Sequence, residues 1–153
     1  MQATASHVQA AHKGLLLETR VFGTVTYGYA GEEIPSQTTR QGKPARKLVI
    51  DPRTAEWVRK IFHWFVTDRL SLSEIIRRLN AENAPLPPRA ARRWTRNIVR
   101  RILLNTRYRG WWEYGRTKAT WINKKSYSRK VEREEPLASM QIEELRILDD
   151  ATW

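Results

Sequence analysis

The chain has 153 residues, a length typical of one domain, and its hydrophobic share of 41% is enough for a folded core. It contains no cysteine, which excludes disulfides and thiolate zinc sites. It carries 28 basic and 16 acidic side chains and has no long apolar run, so we expect a cationic protein with no membrane partner.

The positive charge is concentrated in the middle of the chain. Residues 1–39 have a net charge of −1, residues 40–130 of +18 and residues 131–153 of −5. Within residues 89–130, 14 basic side chains face a single acidic one, Glu113. A block of this density favours a polyanion, and nucleic acid is the commonest polyanion in a cell. A basic surface that serves only solubility is the alternative, which is disfavoured because concentrated like charges repel one another.

The first fifty residues give weak structural signals. Leucines at 15–17 fit the end of a helix, although Gly14 interrupts the pattern. Residues 20–29 alternate β-branched and aromatic residues with glycine, which predicts a short strand or extended arm. Residues 30–44 contain glycines, prolines and threonines and are predicted to form a loop. Residues 47–50 are predicted to form a strand that pairs with the first.

Two helices with clear start signals follow. Asp51 is a favoured N-cap and Pro52 suits the first helical position. The stripe of this helix that we expect to be buried comprises Val58, Ile61, Phe62 and Phe65. Ser71 and Glu74 form a capping box for the second helix, which ends near residue 80. Its expected core residues are Leu72, Ile75, Ile76 and Leu79. Prolines at 85, 87 and 88 prevent a helix across residues 83–93.

The third predicted helix, residues 95–105, is amphipathic. Its apolar residues recur at helical spacing, and Thr95 precedes them as a candidate N-cap. The opposite face carries Arg96, Asn97, Arg100 and Arg101. In the DNA major groove, arginine pairs with guanine and asparagine with adenine. The sequence therefore predicts base readout by Arg96, Asn97 and Arg100, whereas an ordinary solvated basic face is the alternative for this helix taken alone.

The second and third helices together have the order of a helix-turn-helix, with residues 71–82 as support and 95–105 as reading helix. The connection is longer than in the compact motif, so this is either an elaborated variant or simply three packed helices. Polar residues around the reading helix and after it are expected to contact DNA phosphates. They are Arg89, Arg92, Arg93, Thr95, Arg101, Lys118, Lys124 and Lys125.

Strand-forming residues follow the third helix. Asn105 is a candidate C-terminal cap, after which residues 108–115 and 119–122 are predicted strands joined by a turn at 115–118. Four aromatic residues lie among arginines here, at 108, 111, 112 and 114. Stacking on unpaired bases is one interpretation. Burial in the core is favoured, because large rings dominate the cores of small domains.

No catalytic constellation is apparent. The three histidines lie without a nucleophile pattern, and His63 falls inside the first capped helix as an ordinary partly packed residue. Paired-histidine zinc motifs, phosphate-binding glycine loops and dinucleotide fingerprints do not occur. Asp149 and Asp150 are expected to be solvated. We predict no catalytic residue, no metal site and no cofactor. The predicted fold class is α+β, mainly α: a three-helix bundle with a helix-turn-helix-like element and a small β-hairpin or sheet.

The order of several motifs resembles the recombinase domain of large serine recombinases, the serine integrases. The resemblance covers about residues 20–153 and rests on Tyr27-Gly28-Tyr29, Leu48 to Pro52, Val58 to Phe62, Leu72 to Asn80, Trp94 to Leu103, Asn105, Tyr108 to Gly110, Tyr114-Gly115 and Arg146 to Asp150. Two features depart from the family pattern. Threonines and valine stand at 24–26 where the family usually has prolines, and tryptophans are frequent at 111, 112 and 121.

The resemblance implies sequence-specific binding of double-stranded DNA at half of an attachment site. Residues 1–19 would be the end of an interdomain linker helix, 20–135 the DNA-binding domain and 136–153 an extension toward another domain. The family's catalytic serine domain and zinc ribbon have no counterpart here, so we expect no enzymatic activity from this chain.

Other recombinase protomers would be partners through those domains, with no small-molecule substrate. The expected location is the cytoplasm, on the nucleoid, of a bacterial or phage-encoded protein. Two alternatives stay open: a truncated recombinase remnant that acts as a non-catalytic DNA-binding regulator, and a module that binds RNA or single strands.

Overall fold

Four helices and three small antiparallel sheets make up the computed structural model, which describes residues 2–21, 24–88, 92–121 and 128–153. The helices are α1 (Gln2–Leu17), α2 (Pro52–Val66), α3 (Leu72–Ala81) and α4 (Arg96–Leu103). The strands are β1 (Tyr29–Thr38), β2 (Pro44–Ile50), β3 (Trp111–Tyr114), β4 (Thr117–Trp121), β5 (Ser128–Glu132) and β6 (Ala138–Gln141). Short 3-10 turns cover Thr106–Arg109 and Glu143–Leu145. The predicted α+β fold class is confirmed.

The three central helices begin where local capping chemistry dictates. Asp51 Oδ1 accepts a hydrogen bond from the Arg53 amide at 3.1 Å, and Pro52 opens α2. The capping box of α3 is complete, because Ser71 Oγ accepts from the Glu74 amide and Glu74 Oε2 accepts from the Ser71 amide. These local signals were readable from the sequence, and the predicted helix starts are confirmed.

One residue expected in the buried stripe of α2 is not buried. Phe65 is 44% exposed, whereas Trp64 is 7% exposed and joins the core. The guanidinium carbon of Arg78 from α3 lies 5.5 Å from the Trp64 ring centre. The larger indole therefore makes the contact with α3 in the last turn of α2, and Phe65 points away.

The first sheet lies further along the chain than predicted. β1 begins at Tyr29 and pairs antiparallel with β2, from Tyr29 opposite Ile50 to Glu33 opposite Arg46. The strand alternative for residues 20–29 is therefore wrong, which leaves the extended arm, and the loop predicted at 30–44 is wrong up to Thr38, where β1 ends. Arg20 makes only an isolated bridge to Lys47. Pro35, one of the residues that suggested a loop, lies with Ser36 at an irregularity of β1, where edge position and a bulge accommodate them.

The strands after α4 also pair differently from the prediction. β3 pairs with the distant β6, and β4 pairs with β5, so β3 and β4 do not form the predicted hairpin with each other. Gly115 lies between β3 and β4 with a φ of +70° and redirects the chain. Asn105 does not end α4, which is capped by Leu104. Asn105 Oδ1 instead accepts a hydrogen bond from the Arg107 amide, so Asn105 caps the start of the next 3-10 turn.

The core takes buried residues from the four helices, from strands β1 to β3 and from residues 145–148, whereas β4 and β5 contribute none. Leu16 of α1, which continues through Gly14, is 4% exposed, and Val58, Ile75 and Val99 from the three central helices are fully buried. Residues 145, 147 and 148 are buried in the same core, beyond the residue at which we expected an extension to begin. Within the described ranges no helix is both long and apolar enough to cross a membrane.

Candidate nucleic-acid interface

α4 presents a polar face to solvent and an apolar face to the core. Val99 is 0% and Ile102 4% exposed, so this side of the helix is fixed in the bundle. Arg96, Asn97, Arg100 and Arg101 are all exposed on the other side. The helix is short, and its outward face combines guanidinium and amide groups in two turns. Such a face can donate to and accept from base edges.

A buried tryptophan holds the start of α4. Trp94 is 3% exposed, its Nε1 donates to the Ala84 carbonyl at 3.2 Å, and its ring meets Tyr27 edge to face at 5.5 Å. Thr95 Oγ1 accepts from the Ile98 amide at 3.4 Å, as expected of an N-cap. The first turn of α4 is therefore positioned by core packing rather than by the loop before it.

The predicted base-reading residues differ in their surroundings. Arg96 Nη2 donates to Ser73 Oγ of α3 at 3.2 Å, so this arginine lies on the edge of the face that borders α3. Asn97 and Arg101 line a groove on the opposite edge. Arg100 is exposed between the two edges at helical spacing.

The groove, with a volume of about 650 Å³, separates α4 from two loop segments. Its other walls are residues 24–27 and the prolines Pro87 and Pro88. Tyr27, in the first wall, donates its hydroxyl hydrogen to the Pro85 carbonyl at 2.8 Å, which ties the two walls together. A depression of this kind beside a polar helix can accommodate a polymer backbone that runs past α4.

Leu104 extends the exposed face of α4 and was not identified from the sequence. It is 66% exposed, the largest exposed fraction among the large hydrophobic side chains of the described residues. It follows Asn97 by seven residues and Arg100 by four, so all three lie along one line of the helix. The sequence already contains this spacing. An apolar residue at helical spacing from the polar residues of α4 is the pattern that would have identified Leu104.

The residues predicted to contact phosphates fall into three groups. Arg92, Arg93 and Arg101 are exposed around α4, and Thr95 is partly buried as its N-cap. Lys118 is exposed on β4, directly opposite Val131 of β5. Arg89, Lys124 and Lys125 lie outside the described residues.

The aromatic residues after α4 belong mainly to the core. Tyr108 is 1% and Trp112 6% exposed, and the Tyr108 hydroxyl donates to the Tyr27 carbonyl at 2.9 Å. Burial raises the pKa of Tyr108, with the neighbouring Tyr29 contributing in the same direction. Tyr108 and Trp112 are thus not available to stack on unpaired bases. The structure therefore fits the interpretation that these two rings are buried in the core.

The described residues contain no cluster of histidines and carboxylates that could hold a metal ion. The His63 side chain is 61% exposed and lies 3.6 Å from Asp68, so it is less packed than expected. Asp149 and Asp150 are exposed as expected. Asp149 accepts from the Thr152 amide, and hydrogen bonds to the Thr152 side chain and backbone lower its pKa.

Two comparisons with known proteins bear on this arrangement. The family model described as Recombinase matches residues 52–153. The crystal structure of an LSR–DNA complex, where LSR stands for large serine recombinase, is similar in fold, with a TM-score of 0.50 and 17% sequence identity. The match covers 95% of this chain and 35% of that one, so this chain spans about a third of its length. No curated protein matches in sequence.

Proposed function

Because this chain belongs to the Recombinase family, we propose that it binds double-stranded DNA by inserting α4 into the major groove. The proposed site is half of an attachment site of a site-specific serine recombinase. The observation that carries the proposal is the outward face of α4, where exposed arginines and an asparagine stand on a helix whose other side is buried. An isolated α-helix fits the width of the major groove of B-DNA.

The proposed roles follow the position of each side chain. Asn97 pairs with an adenine, because its side-chain amide can both donate to and accept from the edge of that base. Arg96 and Arg100 pair with guanines, because a guanidinium donates two hydrogen bonds and guanine offers two acceptors. Leu104 contacts the methyl group of a thymine, the apolar feature of the groove. Asn97 and Leu104, two turns apart, would then read different base pairs.

Phosphate contacts complete the proposed interface. Arg92 and Arg93 precede the N-cap Thr95, where the DNA backbone would pass the start of a groove-inserted helix. Arg101 faces the groove beside α4, and Lys118 lies on the exposed strand β4. Arg89, Lys124 and Lys125 remain sequence-based candidates for the same role. These contacts position the domain on DNA and contribute no sequence preference.

The proposal assigns DNA binding, and no cleavage chemistry, to this chain. The contact between α3 and α4 supports it, since Arg96 of α4 donates to Ser73 of α3 and a helix-turn-helix packs its first helix beside the reading helix. Strand exchange would be performed by a catalytic domain of the recombinase and would involve other protomers. Incubation of the chain with supercoiled DNA should accordingly leave the DNA uncut.

The DNA target for the test is obtained by selecting, from a pool of random duplexes, those that the wild-type chain binds. Wild type and Asn97→Ala would be compared on the selected duplex and on its single-base-pair variants at fixed salt. We expect Asn97→Ala to lose about 1–3 kcal/mol on the selected duplex and to lose discrimination at one base pair only. Arg101→Ala, as the matched control, should weaken all duplexes alike because it removes a phosphate contact.

Two results would contradict the proposal. One is that the double variant Asn97→Ala, Arg100→Ala selects the same DNA sequence as wild type, in a preparation whose thermal unfolding also resembles that of wild type. The other is preferential binding of single-stranded DNA or RNA of the same sequence, which would favour the single-strand alternative.

A further inference from the structure

The ribbon formed by β4 and β5 is the one sheet of the described chain that supplies nothing to the core. The sheets β1–β2 and β3–β6 both contain buried residues, whereas the side chains at 117–120 and 128–132 are all exposed. Among the described strands, β4 pairs only with β5. A two-stranded ribbon that packs on nothing else is at best marginally stable in water. Both of its faces are open to a partner.

One face of the ribbon is basic. Residues that lie directly opposite each other in an antiparallel pair project from the same face, and the faces alternate along each strand. Lys118 lies opposite Val131. Two residues further along β4, Thr120 lies opposite Arg129, so these four side chains share one face, which we call the basic face. No acidic residue belongs to it.

The charge of the ribbon indicates the class of partner. Residues 116–121 and 128–133 contain five basic side chains and a single acidic one, Glu132, which lies on the other face. Lys118 and Arg129 form no ion pair with the described residues, whereas Arg116 pairs with Glu113 at 3.4 Å. Two copies of the ribbon would bring like charges together, and charged side chains on edge strands disfavour such pairing. The ribbon therefore suits a polyanion better than a second copy of this chain.

A DNA duplex matches the ribbon in shape as well as in charge. The major groove is about 12 Å wide and about 8.5 Å deep, and it admits a two-stranded ribbon as well as an α-helix. Each strand has five residues. At ~3.3 Å per residue the ribbon is about 17 Å long, which is enough to reach the floor of the groove. An arginine on its basic face can donate two hydrogen bonds to a guanine, and a threonine hydroxyl can donate to or accept from a base.

We propose that the β4–β5 ribbon enters the major groove of the duplex that α4 binds and reads base pairs that α4 does not contact. Arg129 and Thr120 contact base edges, and Lys118 contacts a phosphate. The inference rests on the proposed function, because it places both elements on one duplex. It extends that function by assigning sequence preference to a second element. The DNA site is then longer than the part that one helix reads.

The test determines which base pairs each variant of the full chain discriminates. The selected duplex and its single-base-pair variants are compared at fixed salt. Arg129→Ala should bind the selected duplex roughly tenfold more weakly and lose discrimination at one base pair, which differs from the one affected by Asn97→Ala. Lys130→Ala is the matched control, because it removes a cation from the adjacent position on the other face. It should leave discrimination unchanged at every base pair.

The inference and the proposed function fail in different ways. If Asn97→Ala loses discrimination at a base pair and Arg129→Ala loses it at none, the ribbon does not read bases and the proposed function stands. If Arg129→Ala alone loses discrimination, the ribbon reads bases and the assignment of α4 is wrong. If Arg129→Ala weakens binding to every duplex alike, it has removed only a phosphate contact, and the inference is wrong.

Hydrogen exchange provides a second measurement that needs no substitution. The amides of β4 and β5 should exchange more slowly in the complex with the selected duplex than in the free chain, because the free ribbon packs on no other element. An unrelated duplex of equal length is the control and should protect them less. Equal exchange in the free chain and in the complex would overturn the inference. Protection that depends on protein concentration alone would also overturn it, since the partner would then be a second copy of this chain.

Discussion

Three consecutive residues, Tyr27, Gly28 and Tyr29, connect parts of the chain that are far apart in sequence. The Tyr29 hydroxyl lies 2.9 Å from both the Arg107 and Leu145 carbonyls, and its ring stacks on Tyr108 at 6.0 Å. The backbone between the two tyrosines adopts a φ of +92° at Gly28, a conformation that favours glycine. Replacement of any of the three should therefore affect the whole core.

Gly28→Ala is expected to lower the free energy of unfolding by about 1–3 kcal/mol. An added Cβ would lie 3.0 Å from Ile147 Cδ1 and 3.1 Å from Val58 Cγ2, and the positive φ adds strain. Urea unfolding measures the change. Gly14→Ala in α1 is the control: its Cβ would meet nothing within 4 Å, and it should stabilise the helix by about 0.5–1 kcal/mol. Equal stability of Gly28→Ala and wild type would show that the turn tolerates a side chain.

Leu104 allows a test of base contact that leaves the fold intact, because the side chain is 66% exposed. If it packs on a thymine methyl, deoxyuridine at that position should weaken wild-type binding by about 0.8 kcal/mol, the transfer free energy of one buried carbon. Leu104→Ala should bind both duplexes equally. Leu17→Ala, an exposed leucine on α1, should retain the wild-type response. If replacement of each thymine in turn by deoxyuridine never weakens wild-type binding, Leu104 does not contact a thymine methyl group.

At the scale of elements, the capping box of α3 predicts a pH dependence of stability. Hydrogen bonds from the Ser71 backbone and side chain lower the pKa of Glu74 below its ordinary value of 4.5. A carboxylate with a lowered folded-state pKa contributes stability above its unfolded pKa, and this contribution is lost as the pH falls through the folded pKa. The helix start should therefore weaken in acid.

Glu74→Gln keeps an acceptor at this position and removes the titration. The difference in unfolding free energy between wild type and Glu74→Gln should be largest near neutral pH and should shrink below pH 4.5, the ordinary pKa. Thermal unfolding of both proteins across the acid range measures it. A difference that does not vary with pH would mean that the charge of Glu74 contributes nothing to the cap.

Elements defined by local chemistry were predictable from the sequence, and elements defined by distant partners were not. Asp51, Ser71 and Thr95 determine where three helices start through bonds within three residues, and all three were identified. Strand pairing has no such local signal. Trp111 lies opposite Gln141, so only the folded chain specifies the partner of β3.

The same distinction applies to the candidate site. The polar face of α4 followed from helical periodicity, whereas the groove beside it depends on where residues 24–27 and the prolines at 87 and 88 lie in space. The orientation of Arg96 toward Ser73 likewise depends on the packing of α3 against α4. Sequence periodicity identifies a face but not its neighbours. The roles of the individual residues on that face stay predictions.

At the scale of the whole molecule, the uneven charge predicts a strong dependence of DNA affinity on salt. A protein that neutralises phosphates releases counterions, so the logarithm of the affinity falls linearly with the logarithm of the salt concentration, by about 0.9 per phosphate contact. Arg101→Ala should reduce the slope by about that amount. Asn97→Ala should lose affinity and keep the wild-type slope. Equal slopes for Arg101→Ala and wild type would show that Arg101 does not contact a phosphate.

The C-terminal residues close the core around Tyr108. The amides of Ile147 and Leu148 both donate to the Tyr108 carbonyl at 2.8 Å, and Trp153 stacks on Phe62 at 5.5 Å. During synthesis, α2, α3 and α4 are complete long before these residues leave the ribosome. The helices can form early, but the apolar surface that the last residues cover stays open to water until then. Long-range contacts of this kind slow folding, so a chaperone would have most opportunity to bind the nascent chain in this interval.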